Sequence, residues 1–264
     1  MAQPNPTLFE FLTRTQIATI PIRHEASRTP NTRSNAYPLN SIHLRDWDLS
    51  YRDIMQSYSA TLLNTAFTND PHPSPPEAVR GEESVKNRLT MLVLQRLRRA
   101  LRDTQFTAGS SRIRIDVGDV ISLPPSDAKP DLYGYTDPDA PMPRIPGDIK
   151  CSWKWHSTWK DIAEAGLRLE FKAPVAQLNF YMNQCSSRYG YILTDAEVVL
   201  FKKKNKHPAA HLYMAPAIPL TTFDHMGTFS LHHGHLTPLL ALWYIHMLAA
   251  HDDKWFVEIF SDEE

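Results

Sequence analysis

The chain predicts an α/β fold: a mixed central sheet flanked by helices, with extra N- and C-terminal helices. Three observations carry this. A long segment with helical spacing of apolar residues precedes three short strand-like stretches. A second helix and a strand hairpin follow them, and a nearly all-apolar helix lies close to the end. The order helix, three strands, helix, two strands implies a mixed sheet with helices packed on it.

Taken in order, a short helix is expected near Leu8–Gln16. The polar stretch His24–Asn40, rich in Pro, Ser, Asn and Arg, reads as a loop or arm. Ser50 to about Phe67 has helical spacing in Ile54, Tyr58, Leu62 and Ala66. After a proline-broken connection at Asp70–Val79, a long helix is predicted from about Pro76 to Asp103. Ala78, Val85, Leu89, Val93, Leu97 and Ala100 share one of its faces, and Arg96, Arg98, Arg99 and Arg102 form a basic side. Glu82 falls on the apolar face. A buried carboxylate is costly without a partner, which singles it out.

RIRIDVGDVIS (Arg112–Ser122) and KPDLYGYT (Lys129–Thr136) read as strands, separated from the next by a proline-rich loop over Asp137–Pro146. GDIKCSWKW (147–155) alternates strictly. Asp148, Lys150, Ser152 and Lys154 fall on one face, and Ile149, Cys151, Trp153 and Trp155 on the other. Pro174 suits the first position of a helix reaching about Ser187. That helix places Gln177 and Tyr181 one turn apart on the same side. Tyr189–Lys204 reads as a hairpin turning at Asp195–Glu197. HLYMAPAIPL is a further extended segment, and Thr237-Pro238 opens the apolar helix LLALWYIHMLAA. Residues 1–75 are expected to pack on a core formed by 76–204. Residues 205–264 form an extension of the same globular unit.

A chain of 264 residues has ample length for a buried core. Its net charge of -1 supplies no global field toward polyanions or membranes, so contact with nucleic acid must come from local patches. The two cysteines, Cys151 and Cys185, make no disulfide framework and are expected as buried thiols. No secretory signal and no membrane-length apolar run is evident, so the chain reads as intracellular, cytoplasmic or nuclear, with no membrane partner.

Four pieces then line up: Glu82 on a helix, Lys129-Pro130-Asp131 opening a strand, Asp148-Ile149-Lys150 on the next, and Gln177 with Tyr181 on the following helix. This order resembles the PD-(D/E)XK nuclease superfamily, whose fold is that of restriction endonucleases. The Gln-x-x-x-Tyr helix is similar to the branch holding helicase-associated exonucleases. The resemblance covers roughly 76–204, and QLNFYMNQCSSRYGYILTDAEVVLFKK resembles a segment type found in large fungal families. It implies a metal-dependent phosphodiesterase acting on DNA or RNA. Asp131 and Asp148, with the Ile149 carbonyl and Glu82, would hold Mg²⁺ or Mn²⁺. Lys150 would position or deprotonate the attacking water. Gln177 and Tyr181 would hold the substrate backbone or orient the groups behind the site.

Phosphate contacts are expected from Arg96, Arg99, Lys154, Lys202, Lys203 and Lys204. Plain structural readings stand beside these: Asp131 as a turn cap, Asp148 with Lys150 as a surface ion pair, Gln177 facing solvent, and the basic runs as solvated faces. The histidines His225, His232, His233 and His235 lack the cysteine or carboxylate that would complete a zinc set. The acidic tail offers Asp252, Asp253 and Glu258 as a candidate clamp for a cationic substrate. Two other functions stay open. One is tRNA-dependent acyl transfer on the same fold, as in fungal arginine-containing cyclodipeptide synthases, which use arginyl-tRNA and need no metal. The other is a non-catalytic nucleic-acid-binding or interaction protein.

Overall fold

The structure is a computed structural model that describes residues 6–22, 43–65, 78–79, 81–118, 129–136, 143–204, 211–224 and 234–257. Helices α1 (Leu8–Arg14) and α2 (Tyr51–Asn64) flank strand β1 (His43–Asp46) in sequence. Both helices start with a capping box, Thr7 with Glu10 and Ser50 with Asp53. Next come α3 (Glu82–Leu89), a π turn (Thr90–Leu94) and α4 (Gln95–Asp103). Then follow β2 (Arg114–Val117), β3 (Leu132–Tyr135), β4 (Pro143–Lys150), a 3-10 turn (Ser157–Asp161) and α5 (Ala165–Gln184). The chain continues through β5 (Tyr189–Thr194), β6 (Glu197–Lys203), β7 (His211–Met214), β8 (Ile218–Pro219) and α6 (Pro238–Ala250). No helix among the described residues is long and apolar enough to cross a membrane.

The strands form one mixed sheet in the order β1-β7-β6-β5-β4-β3-β2, with β8 beside β6. β2, β3 and β4 are an antiparallel meander. α5 then carries the chain across the sheet so that β5 runs parallel to β4, as a crossover helix allows. β5 and β6 are buried on both faces. Tyr191, Leu193, Val198 and Leu200 face one core with α1, α2, α4 and α6. Ile192, Val199 and Phe201 face a second core with α5. Residues from both ends of the chain therefore share the larger core, and β1, β7 and β8 extend the sheet beyond 76–204.

The helix boundaries and the strand carrying Asp148 differ from expectation. The long helix begins at Glu82, behind the extended residue Gly81. Val79 instead bridges to Ile22, and Ala78 is exposed. The π turn inserts a residue into the helical register, so Leu92, Val93 and Leu94 are all buried. Pro174 is not a first-turn residue but lies inside α5, which starts at Ala165. An interior proline costs about 3 kcal/mol. The stripe Phe171, Val175, Leu178 and Met182, buried in the second core, offsets it at about 1.5–3 kcal/mol per side chain.

The strand carrying Asp148 starts at Pro143, within the expected loop, because β5 pairs with β4 only from Gly147 onward. Upstream of that point β4 behaves as an edge, where proline is tolerated. It also ends at Lys150 rather than Trp155. Asp195 accepts both the Ser152 N–H (2.8 Å) and its hydroxyl (2.6 Å), which folds the chain into a turn. Trp155 is thereby buried, stacked on Phe171 and donating to the Phe171 carbonyl at 3.0 Å.

Gly147 has no room for a side chain. A Cβ there would sit 2.3–2.6 Å from the ring and hydroxyl of Tyr191, which is fully buried. Gly147→Ala is therefore expected to destabilise by about 1–3 kcal/mol. Tyr191→Leu should recover part of that loss. Urea melts of both single variants and the double variant check the coupling, and strictly additive effects would refute it.

Candidate active site

The β3–β4 register pairs Leu132 with Gly147. Asp131 and Asp148 are thus opposite one another and point to the same face. That is the face of Ile192, which Asp148 meets across β4–β5, and α5 packs over it. Asp131 Oδ2 accepts the Ile149 N–H at 2.8 Å. Lys150 Nζ lies 2.8 Å from Asp148 Oδ2. This contact is ionic, and Asp148 Oδ2 has no aligned hydrogen bond. Asp148 is 1% exposed.

Two further lysines close the cluster. Lys86 on α3 reaches Asp131 Oδ1 at 2.6 Å, and Lys154 in the turn after β4 ion-pairs with Glu82. Three carboxylates thus face three ammonium groups. Glu82 is not a buried carboxylate. Its side chain is 53% exposed because it sits in the first turn of α3, where the helix N-terminus also favours negative charge.

The two aspartates differ electrostatically. Burial drives the Asp148 carboxyl up to about 7. Lys150 opposes this, while Asp131 adds to it by charge and by a hydrogen bond. Burial also disfavours the Asp131 anion, but Lys150, the hydrogen bond from Asp148, and Lys86 together hold its pKa below the usual value. The neutral form is thus favoured at Asp148 and the anion at Asp131, as adjacent carboxyl groups separate their titrations. Burial works against the Lys150 cation, yet Asp148, Asp131 and Glu82 hold its pKa above the ordinary lysine value.

Gln177 and Tyr181 lie on α5, and Gln177 Nε2 donates to the Tyr181 hydroxyl at 2.7 Å. Tyr181 is buried. Their expected adjacency is present, and each engages the other. Lys86 was the main site residue not singled out. Its signal was the Glu82-x-x-x-Lys86 spacing, which sets both on one side of the helix. Asp195 and Glu197, expected only as the hairpin turn, have a structural role as well. They are buried and pin the turn after β4, Glu197 through the Ser157 N–H and hydroxyl at 2.6 and 2.9 Å.

The expected phosphate-binding residues are scattered. Arg96 is buried and donates to the Leu92 carbonyl of its own helix, because the π turn rotates it inward. Arg99 lies over the Phe11 ring at 5.5 Å. Lys154 is committed to Glu82. Lys203 is buried and bonds Asn183, Lys202 lies over the Trp47 ring, and Lys204 is exposed. Strand alternation puts Lys202 and Lys203 on opposite faces of β6, and Lys204 follows its end.

The acidic clamp is not assembled either. Asp252 is engaged by Arg144 and Ser111, each at 2.8 Å. Asp253 is exposed, and Glu258 lies outside the described residues. His225, His232 and His233 also lie outside them, and His235 is exposed. Cys151 and Cys185 are buried free thiols.

Among the described residues no three His, Cys, Asp or Glu side chains converge as a metal-ligating group. Asp131 and Asp148 form a two-carboxylate site with Glu82 apart from it. That donor set still suits a hard divalent cation. Mg²⁺ keeps several of its own waters and takes one or two carboxylates, and the Asp131 and Asp148 carboxylates face the same side of the sheet. Comparison with protein-family models, curated proteins and solved structures gives no match.

Proposed function

We propose that Asp131, Asp148 and Lys150 are the active site of a metal-dependent phosphodiesterase that cleaves DNA or RNA on a fold of the PD-(D/E)XK type. The observation that carries this reading is the facing pair Asp131 and Asp148, with Lys150 Nζ 2.8 Å from the Asp148 carboxylate, set between α3 and α5. Asp131 and Asp148 would hold Mg²⁺ or Mn²⁺. When bound, the ion would supply Lewis-acid stabilisation of charge on the phosphoryl oxygens. Lys86 and the Ile149 N–H keep Asp131 ionised and aimed. Lys150 enters as an ammonium, so it orients the attacking water and offsets developing negative charge rather than taking a proton. Gln177 and Tyr181 act as one hydrogen-bonded unit on α5.

A second reading is favoured by one observation. Lys86 and Lys154 already balance Asp131 and Glu82, so the cluster is electrically complete as it stands. That suits the arginyl-tRNA-dependent acyl transfer of an arginine-containing cyclodipeptide synthase, in which Asp148, protonated near neutral pH, would relay protons. The test is product analysis with labelled DNA, RNA and arginyl-tRNA, each with Mn²⁺ and with EDTA. Mn²⁺-dependent strand cleavage that Asp148→Asn abolishes is the expected result. A small peptide formed from arginyl-tRNA in EDTA would replace it with the second reading. Intact substrates throughout would leave the non-catalytic binding role.

A further inference from the structure

A cavity of about 730 Å³ lies away from the aspartate pair, within the roughly 300–1,000 Å³ range of small-molecule sites. Its floor is a row across three strands. Tyr189 pairs with Lys202, and Lys202 with Tyr213, so the three side chains stand on one sheet face. Trp47 covers the lysine, with its ring centroid 5.3 Å from Nζ. Tyr244 of α6 closes one side, and Arg188 lies beside the row at the start of β5.

The register separates this cavity from the aspartates. Asp148 is level with Ile192, and Tyr189 lies three residues back along β5, about 10 Å at strand rise. Tyr189 also shares the Tyr191 face, whereas Asp148 shares the Ile192 face. The cavity is therefore on the opposite side of the sheet.

Its lining carries four cations, Arg188, Lys202, Lys203 and Lys204, against three acids, Asp46, Asp48 and Asp53. Among the described residues, neither Arg188 nor Lys202 has a carboxylate ion pair. The acids on the rim are mostly engaged. Asp46 binds Lys160 at 2.6 Å, Asp53 caps α2, and Asp48 is exposed. Burial, with the Arg188 charge adding to it, lowers the Lys202 pKa. Two cations held together against mutual repulsion, in an aromatic-walled cavity, favour an anion. The Trp47, Tyr213 and Tyr244 rings offer stacking surfaces to a flat group.

We propose that this cavity binds a nucleotide, its phosphate on Arg188 and Lys202 and its base against the aromatic wall. The phosphate and base could come from a free mononucleotide or from the end of a polynucleotide. The proposal does not rest on the phosphodiesterase reading.

Calorimetric titration with AMP, inorganic phosphate, adenosine and a short oligonucleotide with and without a 5′-phosphate tests it. AMP should bind more tightly than phosphate or adenosine alone, and about tenfold or more weakly to Lys202→Met and Arg188→Gln. Lys202→Met keeps the aliphatic stem and removes one repelling charge, so its melting temperature should equal or exceed that of the wild type. Tighter binding of the 5′-phosphorylated oligonucleotide than of AMP would identify a polynucleotide end as the source, and the reverse order a free nucleotide. No saturable binding of any probe, binding unchanged in both variants, or binding lost in Asp148→Asn instead would overturn the assignment. So would a lower melting temperature in Lys202→Met.

Discussion

On the phosphodiesterase reading proposed above, Lys150→Met is expected to lower the cleavage rate by roughly 10²–10⁴-fold, the usual scale for a positioned catalytic group, while leaving the protein folded. The half-buried ammonium faces both aspartates, so it is placed to offset charge as negative charge grows on the proposed substrate. Methionine keeps the stem and removes the charge. It need not unfold the chain, because Asp148 already titrates near neutrality. Without Lys150 that carboxyl keeps its proton to higher pH and stays neutral in its buried place. Lys150→Arg keeps the charge in a planar fork of different shape, and partial recovery is expected. Single-turnover rates and thermal melts of the three proteins check this. Wild-type rates in Lys150→Met would remove Lys150 from the mechanism.

Acid should weaken the fold through one histidine. His246 is fully buried on α6. Its Nδ1 faces the Leu242 carbonyl at 2.7 Å, and Nε2 has no partner. The ring lies against Tyr191 at 5.6 Å. Burial lowers its pKa from 6.5 to about 4, against a smaller opposing effect of the Leu242 carbonyl. The unfolded chain thus binds the proton that the folded chain refuses between about pH 6.5 and 4. The stability associated with neutral His246 is complete above the unfolded value and is lost as pH falls toward 4, roughly 3 kcal/mol in total.

Asp148 works the other way over nearly the same window. Its raised pKa penalises the fold as pH climbs from about 4 to 7, and acid relieves that penalty. The difference between wild type and His246→Phe isolates the histidine. Urea melts at pH 7 and pH 4 should show the wild type losing about 3 kcal/mol more than the variant. Equal losses would show that His246 is not the acid-sensitive group.

Much of the arrangement is legible in local pattern. Strand alternation marks Asp148 and Lys150 as neighbours on one face, helical spacing marks Gln177 and Tyr181, and hydropathy marks α6 as buried all round. Hidden features depend on distant partners. Glu82 reads as buried by helical phase, yet it sits at the exposed helix start facing Lys154, 72 positions on by number. The period-two pattern runs through Trp155, but Asp195 ends the strand at Lys150. Arg96 reads as part of a basic face until the π turn rotates it inward. Pro174 reads as a helix start until the buried stripe of α5 outweighs its local cost. In each case a tertiary interaction of a few kcal/mol overrides a local preference of similar size.

Mn²⁺ titration of the wild type and Asp148→Asn, in buffers of different ionisation enthalpy at pH 6 and pH 8, tests the aspartate pair most directly. Burial raises the Asp148 carboxyl to about 7, so below that pH a cation must displace its proton to bind. The prediction is one Mn²⁺ bound, with close to one proton released at pH 6 and close to none at pH 8, and with binding abolished in Asp148→Asn. Absence of binding, or binding with no proton release at pH 6 and unchanged in the variant, would contradict a metal site built on Asp131 and Asp148.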